Sequence, residues 1–333
     1  SVSFMKPVGQ LRIKTENGLE VDKDVVLFKE HFGISTSYEL MSPVLCPSGF
    51  TRQVLDRAVD PAALLAQIRT SFQEIHKEHD FVLVEGTGHV GVGSIFELNN
   101  ATVAKELDLE VVMIATGGLG SAIDELTLNI ELLHNQGVRV RGVILNRVHD
   151  AKREMILNYF PKALKRWNIP LLGAVPFLPY LSQPTVQDFE RLFQTQLLSG
   201  FDHRLRHFQD VKLVASSLES YLQEMQPNQL IITPACREDV VMATIEKEVR
   251  SQLDAKNSLH SGMILTGSSA PRETLLKEIK KCNIPILFTS INPYEVMKLI
   301  NAFTAKIQKE DTKKIAQAID LITSHVDFNQ ICC

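Results

Sequence analysis

The stretch Phe81-Val-Leu-Val-Glu85-Gly86-Thr87-Gly88-His89 organises this chain. Residues 80–84 predict a buried parallel strand, because such a strand needs apolar side chains on both of its faces. Glu85 would then stand at the carboxyl end of the strand, where doubly wound sheets bind their ligands. A carboxylate at that place commonly holds a magnesium ion or orients a water beside a phosphate. The alternative is a charged residue at a loop entrance, with Gly86 and Gly88 forming a tight turn.

Strand and helix patterns alternate on both sides of this stretch. Before it, the periodicity predicts a strand at the start of the chain and helices over 22–32 and 61–76, with a Pro- and Gly-rich loop at 42–52. After it, apolar runs predict strands over 110–115, 138–145 and 171–176, with helices between them. This alternation indicates an α/β domain on a mainly parallel sheet.

The alternation resumes after a largely polar, helical stretch at 185–201 and a link near 203–209. Strands are predicted at 211–216, 229–233, 262–266 and 284–289, one of the intervening helices runs to Leu253, and an amphipathic helix occupies 311–325. We therefore predict a first domain over 1–205, a smaller α/β domain over 206–327 and a tail over 328–333.

Two further places could bind an anion. Lys6 follows the first strand-like run, although a solvated lysine at a loop entrance has the same pattern. The turn Thr116-Gly117-Gly118-Leu119-Gly120-Ser121 opens a helix and exposes backbone N–H groups. Tight packing between that helix and the sheet explains the glycines about as well, so both interpretations stay open.

The amino-acid composition limits the classes of protein to which this chain can belong. Apolar residues make up 44% of the 333 residues and charged residues 22%, which is ordinary for a soluble globular protein with two cores. The net charge is -4 and no Lys/Arg stripe carries interleaved aromatics, which argues against a nucleic-acid partner. No apolar run is long enough for a membrane span. Five cysteines without zinc-site spacing indicate a reducing compartment, and the Cys332-Cys333 end is either an ordinary tail or a lipidation site.

Short motifs occur in a defined order along the chain. In the first domain they are Met5-Lys6-Pro7-Val8-Gly9-Gln10, Ser42-Pro43-Val44, Gly49-Phe50-Thr51-Arg52, Val84-Glu85-Gly86-Thr87-Gly88-His89, Thr116-Gly117-Gly118, Val143-Ile144-Leu145-Asn146 and Val175-Pro176 with Leu178-Pro179. In the second they are Arg237-Glu238-Asp239, Leu265-Thr266-Gly267 and Ala305-Lys306-Ile307 with Glu310-Asp311. The set resembles the N-terminal, non-catalytic part of long phosphate acetyltransferases and their stand-alone relatives. Its first domain is similar to the P-loop NTPase-like dethiobiotin synthetase and cobyrinic acid diamide synthase group, and its second to the DRTGG domain.

The resemblance implies roles for particular residues. Lys6 and Glu85 match catalytic positions, a lysine that faces the carboxylate or carbamate substrate and an acidic ligand of magnesium or water. Asn146 matches an asparagine that reads the adenine edge. Nucleotide-binding positions also include the loop after Glu85 and the segment packed near the base: Gly86, Thr87, Gly88, Pro176 and Leu178. Lys6, Glu85 and Asn146 are therefore expected to line one crevice.

The chain also departs from the family pattern. The phosphate loop, Gly-x-x-x-x-Gly-Lys-Ser/Thr, is absent, and it would lie on a strand before the Lys6 segment. We expect that residues upstream supply this central strand, the alternative being a strand from another chain. ATP and Mg²⁺ are thus expected to bind the native-length protein and not to bind tightly to the chain as given. In the second domain, Cys236 and Ser268 replace an aspartate and a glycine of the signature.

The sequence motifs and the resemblance leave two candidate functions. The favoured one is a non-catalytic regulatory or scaffolding protein that senses a nucleotide and forms a homo-oligomer or joins a larger assembly. The alternative is an ATP- and Mg-dependent ligase that activates a carboxylate. The expected location is the cytoplasm, or an organelle matrix if a targeting segment was removed upstream.

Overall fold

Helices and strands alternate along the chain in a computed structural model that describes residues 1–252 and 259–332. Leu253, the predicted end of one helix, and Cys333 lie outside the described residues. Contacts divide the chain into a first unit, Ser1–Phe177 with the segment from Gln308 onward, and a second unit, Leu178–Ile307. Within the described ranges, no helix has the length and apolarity needed to cross a membrane.

The first unit contains the stretch that organises the chain. Its strands are β1 (Val2–Met5), β2 (Val8–Gly9), β3 (Arg12–Lys14), β4 (Glu20–Asp22), β5 (Val44–Leu45), β6 (Phe81–Val84), β7 (Val111–Thr116), β8 (Val140–Val148) and β9 (Leu171–Pro176). Its helices are α1 (Lys23–Phe32), α2 (Tyr38–Met41), α3 (Phe50–Leu55), α4 (Pro61–Glu78), α5 (Asn100–Glu106), α6 (Gly120–Asn135) and α7 (Asp150–Leu164). The predicted 42–52 loop thus contains β5 and the start of α3.

Parallel pairing dominates this unit, as predicted. β1 pairs with β6, β2 pairs with β5, and β7, β8 and β9 form a three-stranded sheet, all in parallel, whereas β3 and β4 form an antiparallel pair. β8 is the central strand of the three-stranded sheet and carries the fully buried Val143 and Leu145. These side chains belong to a core that α6 and α7 cover with residues such as Ile130 and Phe160.

The strand β6 is parallel but not buried on both faces, which corrects the sequence prediction. Phe81 and Leu83 are 39% and 47% exposed, and Ile114 on β7 is 68% exposed. Among the described residues, β6 has only β1 beside it and β7 has only β8, so each keeps one edge without a strand neighbour. The exposed Phe81, Leu83 and Ile114 show that one apolar face of each strand also lacks a packed layer. That a further strand pairs there, from upstream or from another chain, stays a prediction.

The second unit is a five-stranded sheet. Its elements are α8 (Pro179–Ser182), α9 (Val186–Leu192), β10 (Leu197–Ser199), β11 (Asp210–Leu213), α10 (Leu218–Glu224), β12 (Gln229–Pro234), α11 (Glu238–Gln252), β13 (Gly262–Thr266), α12 (Glu273–Lys281), β14 (Ile286–Thr289) and α13 (Pro293–Ala302). The strand order is β10-β14-β13-β12-β11, and only β10 runs antiparallel. β10 corrects the helix predicted through 201, because three residues there pair with β14 instead.

The division between the units differs from the predicted boundary after residue 205. The C-terminal helices α14 (Thr312–Thr323) and α15 (Asn329–Cys332) belong to the first unit, whereas the sequence predicts the 311–325 helix in the second domain. Residues after α14 bond to the edge of β9: Ala174 N donates to His325 O over 3.3 Å and Asp327 N to Leu172 O over 2.8 Å. These bonds satisfy backbone groups that an edge strand otherwise leaves open. Gly173 is required there, since an added Cβ would lie 2.4 Å from His325 O.

We predict that backbone amides of β6 exchange with solvent much faster than those of Val143 and Leu145 in β8. The unpaired edge of β6 leaves amides without a strand partner, whereas β8 is bonded on both sides. Hydrogen exchange followed by mass spectrometry should show protection at least about 100-fold lower in β6. Equal protection of the two strands would mean that the free edge of β6 is covered in solution.

Candidate functional site

Lys6 is a buried lysine surrounded by three carboxylates. It follows β1 directly, its backbone N donates to Met41 O over 2.8 Å, and its side chain is only 6% exposed. Its Nζ lies 3.5 Å from Asp22 Oδ1 and 3.3 Å from Glu85 Oε1, and it donates to Asp24 Oδ2. A buried ammonium is stable only when it is paired, and these three partners supply the pairing.

Asp22 joins the cluster to the backbone around it. As the N-cap of α1, its Oδ1 accepts from Asp24 N over 2.9 Å, while Oδ2 accepts from Gln10 N and Leu11 N over 3.0 and 3.2 Å. Gly9 is needed beside it, because a Cβ on Gly9 would lie 2.8 Å from the Asp22 Cβ. One carboxylate therefore holds the start of α1, the turn after β2 and Lys6 in a single arrangement.

Glu85 is the least buried of the three acids, with 39% of its side chain exposed. Its backbone N donates to Met5 O over 2.8 Å, which continues the pairing of β6 with β1. Burial raises the pKa of Glu85 above its usual value, and the negative charges of Asp24 and Asp22 act in the same direction, against the attraction of Lys6. The pKa of Lys6 is raised despite burial, because the hydrogen bond to Asp24 and the charges of Glu85, Asp22 and Asp24 together outweigh it.

The loop after Glu85 is held by its own hydrogen bonds. Asn100 Oδ1 accepts from Thr87 N over 3.1 Å, its Nδ2 donates to the carbonyls of Thr87 and His89, and Thr87 Oγ1 donates to Val8 O over 2.6 Å. A Cβ on Gly86 would lie 2.8 Å from Asn100 Oδ1, and Gly88 has a φ of 62°. These contacts explain the glycines by close packing and a left-handed turn. The predicted nucleotide contacts of Gly86, Thr87 and Gly88 stay predictions.

Asn146 lies on the other sheet, near the end of β8. Its Oδ1 accepts from Arg147 N over 2.9 Å, and its side chain is exposed. Pro176 ends β9 opposite Val148, in the same sheet, whereas Leu178 belongs to the second unit. Among the described residues, no hydrogen bond or ion pair joins Asn146 to Lys6 or Glu85. The structure thus brings Lys6 and Glu85 together and places Asn146 and Pro176 on a separate sheet, so the common crevice stays a prediction.

Asp22 and Asp24 are residues of this cluster that no sequence pattern assigned to the site. The signal was present, since an Asp-x-Asp pair at a predicted helix start commonly supplies a cap, but nothing in the spacing pointed to Lys6. Residues 1–252 and 259–332 contain no group of three or more His, Cys, Asp or Glu side chains suited to hold a metal ion. Asp24 Oδ2 and Glu85 Oε1 face the Lys6 ammonium. Magnesium binding at Glu85 stays a prediction.

In the second unit, the residues after β12 form an internal ion pair. Arg237 donates to both Asp239 oxygens, from Nε over 2.9 Å and from Nη2 over 2.8 Å. The neighbouring Cys236 is exposed. A bidentate pair of this kind uses the donors with which an arginine would bind an anion.

Replacing Lys6 with methionine should destabilise the protein by about 3 kcal/mol, because three carboxylates would face one another without a cation. Urea unfolding followed by circular dichroism measures the change. Lys14→Met, at an exposed lysine of β3, is the matched control and should change the free energy of unfolding by less than about 0.5 kcal/mol. A Lys6 variant as stable as the control would contradict the pairing described here.

The raised pKa of Glu85 predicts a pH dependence of stability. The folded state retains a proton on Glu85 above the unfolded value of 4.5, so the folded protein binds more protons in that range. Stability from this group is therefore present below pH 4.5 and is lost as the pH rises through the folded pKa. The free energy of unfolding of the wild type should fall relative to that of Glu85→Gln between pH 4.5 and 7. A difference that stays constant or grows would refute the direction of the shift.

Comparison with known proteins identifies the family of this chain. The AAA_26 family model, an AAA domain, matches residues 1–185, and the DRTGG domain model matches residues 190–303. Curated relatives named phosphate acetyltransferase include those of Nitratidesulfovibrio vulgaris, 27% identical over 99% of this chain, and Pseudomonas putida, 25% identical over 98%. The chain spans about half of their length, 47% and 46%.

Two solved structures show weaker similarity. One contains the CBS and DRTGG domains of the regulatory region of Clostridium perfringens pyrophosphatase with the activator diadenosine tetraphosphate, at TM-score 0.30 and 11% identity over 65% of this chain and 89% of that chain. The other is the MinD cell division protein of Aquifex aeolicus, at TM-score 0.31 and 14% identity over 54% of this chain and 83% of that chain. Neither score is high enough to carry an argument. Since the AAA domain model covers more than half of the 333 residues, the chain belongs to the AAA_26 family, carries a DRTGG domain after it, and matches the N-terminal region of phosphate acetyltransferases.

Proposed function

We propose that the chain is a regulatory or scaffolding module of the phosphate acetyltransferase type and does not itself catalyse a reaction. In the native-length protein it would respond to a bound nucleotide and pass that state to associated domains or subunits. Self-association through the DRTGG domain belongs to the same proposal. The relatives are named as enzymes, and this chain corresponds to about half of each.

The pairing of Lys6 supports a non-catalytic role. A ligase would need this ammonium to receive the carboxylate of a substrate, yet here it is buried and bonded to Asp22, Asp24 and Glu85. One positive charge faces three carboxylates, so a substrate carboxylate would approach a negative cluster. Like charges about 4 Å apart repel by roughly 4 kcal/mol at an effective dielectric constant of about 20. The cluster is therefore better suited to holding the fold than to attracting a carboxylate.

One observation favours the ligase alternative. Lys6 and Glu85, the two positions that the resemblance assigns to catalysis, are in direct contact across the β1–β6 pair. A nucleotide with its magnesium could draw Glu85 and Asp24 away from Lys6 and free the ammonium. That change would convert a structural cluster into a catalytic one.

Binding and turnover of ATP in the native-length protein separate the two functions. We expect calorimetry with MgATP to detect binding, and a phosphate-release assay with a panel of mono- and dicarboxylic acids to show turnover far below about 1 s⁻¹, the lower end for typical enzymes. Carboxylate-dependent turnover that is lost in Glu85→Gln and kept in Glu74→Gln, an exposed glutamate of α4, would establish the ligase instead. Absence of MgATP binding would remove nucleotide sensing from the proposal.

A further inference from the structure

The amino-terminal ends of β8 and β9 border a cavity of about 410 Å³ that no part of the proposed function uses. Arg139, Arg141 and Trp167 line it, together with His134 in the last turn of α6 and Gln330 of α15. Asn146 lies six residues beyond Val140, the first residue of β8. At about 3.3 Å per residue, this separation is roughly 20 Å. The cavity is therefore distinct from the predicted adenine position; it is half open to solvent, and its volume falls within the range of small-ligand sites, about 300–1,000 Å³.

The arginine end of the cavity carries excess positive charge, although Glu131 and Asp327 bond to the lining residues Trp167 and Gln330. Arg139 and Arg141 share one counter-ion, because Arg139 Nη1 lies 2.6 Å from Glu110 Oε1 and Arg141 Nη1 lies 2.5 Å from Oε2 of the same carboxylate. Two guanidinium groups against one carboxylate leave one net positive charge. Such a charge attracts an anion, and the planar donor fork of arginine matches phosphoryl oxygens.

Arg139 has donors to offer. Its side chain is 74% exposed, and in the part of the chain that the structure describes the guanidinium makes one hydrogen bond, which is to Glu110. Arg141 is held more firmly, since its Nε also donates to the carbonyl of Gln330 over 2.8 Å and its side chain is 21% exposed. The pair thus combines one fixed guanidinium with one that can turn toward a ligand.

Trp167 supplies an aromatic wall beside these charges. The Arg166 guanidinium covers one face of the ring at 3.6 Å from the ring centroid, the ring also packs against the core, and its Nε1 donates to Glu131 over 3.3 Å, so a ligand ring would contact only the part of Trp167 that lines the cavity. The buried Ile169 lines the same cavity. A charged end next to an aromatic and apolar end suits a ligand that is itself both anionic and flat.

We propose that this cavity binds a phosphomonoester with a planar ring, with the phosphoryl group at Arg139 and Arg141 and the ring against Trp167. Glu110 then acts as a resident anion that competes with the phosphoryl group for both guanidinium groups. This assignment is independent of nucleotide sensing near Lys6.

Fluorescence provides a specific test, because Trp167 is the single tryptophan of the chain. AMP is titrated into the full chain at constant ionic strength, with inorganic phosphate as the ringless probe. We expect a saturable change in Trp167 emission, with AMP binding at least about tenfold tighter than phosphate, a factor typical of base stacking on an aromatic ring.

Three variants make the test decisive. Arg139→Gln should weaken AMP about tenfold through loss of a charge-assisted bond, whereas Arg12→Gln, at an arginine paired with Glu20 in the β3–β4 pair, should leave it within about twofold. Glu110→Gln should strengthen AMP binding, since it removes the competing carboxylate. No emission change with AMP, equal affinity for AMP and phosphate, or affinities that ignore Arg139 and Glu110 would each overturn the proposal.

Discussion

The contact between the Lys6 ammonium and the carboxylates of Asp22, Asp24 and Glu85 is the interaction on which the first unit depends. A charge at 6% exposure cannot remain without partners, so β1, the start of α1 and the end of β6 must all meet at this point. Asp22 extends the constraint, because it also caps α1 and accepts the backbone N–H groups of Gln10 and Leu11. The same pairing supports the proposed non-catalytic role, since a lysine with three anionic partners is poorly placed to receive an anionic substrate.

The edges of the first unit's sheets form a second constraint. Parallel strands are ordinarily covered on both faces, yet β6 and β7 carry the exposed Phe81, Leu83 and Ile114, and each has one described strand neighbour. The edge of β9, in contrast, is covered, because the residues after α14 form backbone hydrogen bonds to it. The unit is thus closed along the edge of β9 and, among the described residues, open beside β6 and β7.

Local sequence signals predicted many of the secondary-structure elements and the position of Glu85. The apolar runs of β6, β7, β8 and β9 are properties of neighbouring residues, and those strands lie close to where periodicity placed them. Glu85 at a strand's carboxyl end followed from the same reasoning. Asp22 and Asp24 did not, because they meet Lys6 across 16 and 18 residues and only the folded β1, β4 and α1 bring them together. β10 was missed for a related reason, since three residues form a strand only because β14 offers an edge.

The sequence by itself determined the α/β class, the order of the elements and the two-domain organisation, because apolar periodicity and turn residues act over a few positions. Only the tertiary structure decided which unit α14 joins, that Lys6 is paired rather than free, and that Arg139, Arg141, Trp167 and Gln330 enclose one cavity. Arg141 and Gln330 stand 189 residues apart and are joined by a single hydrogen bond. Contacts of that separation depend on how complete elements pack, and no local pattern of side chains encodes them.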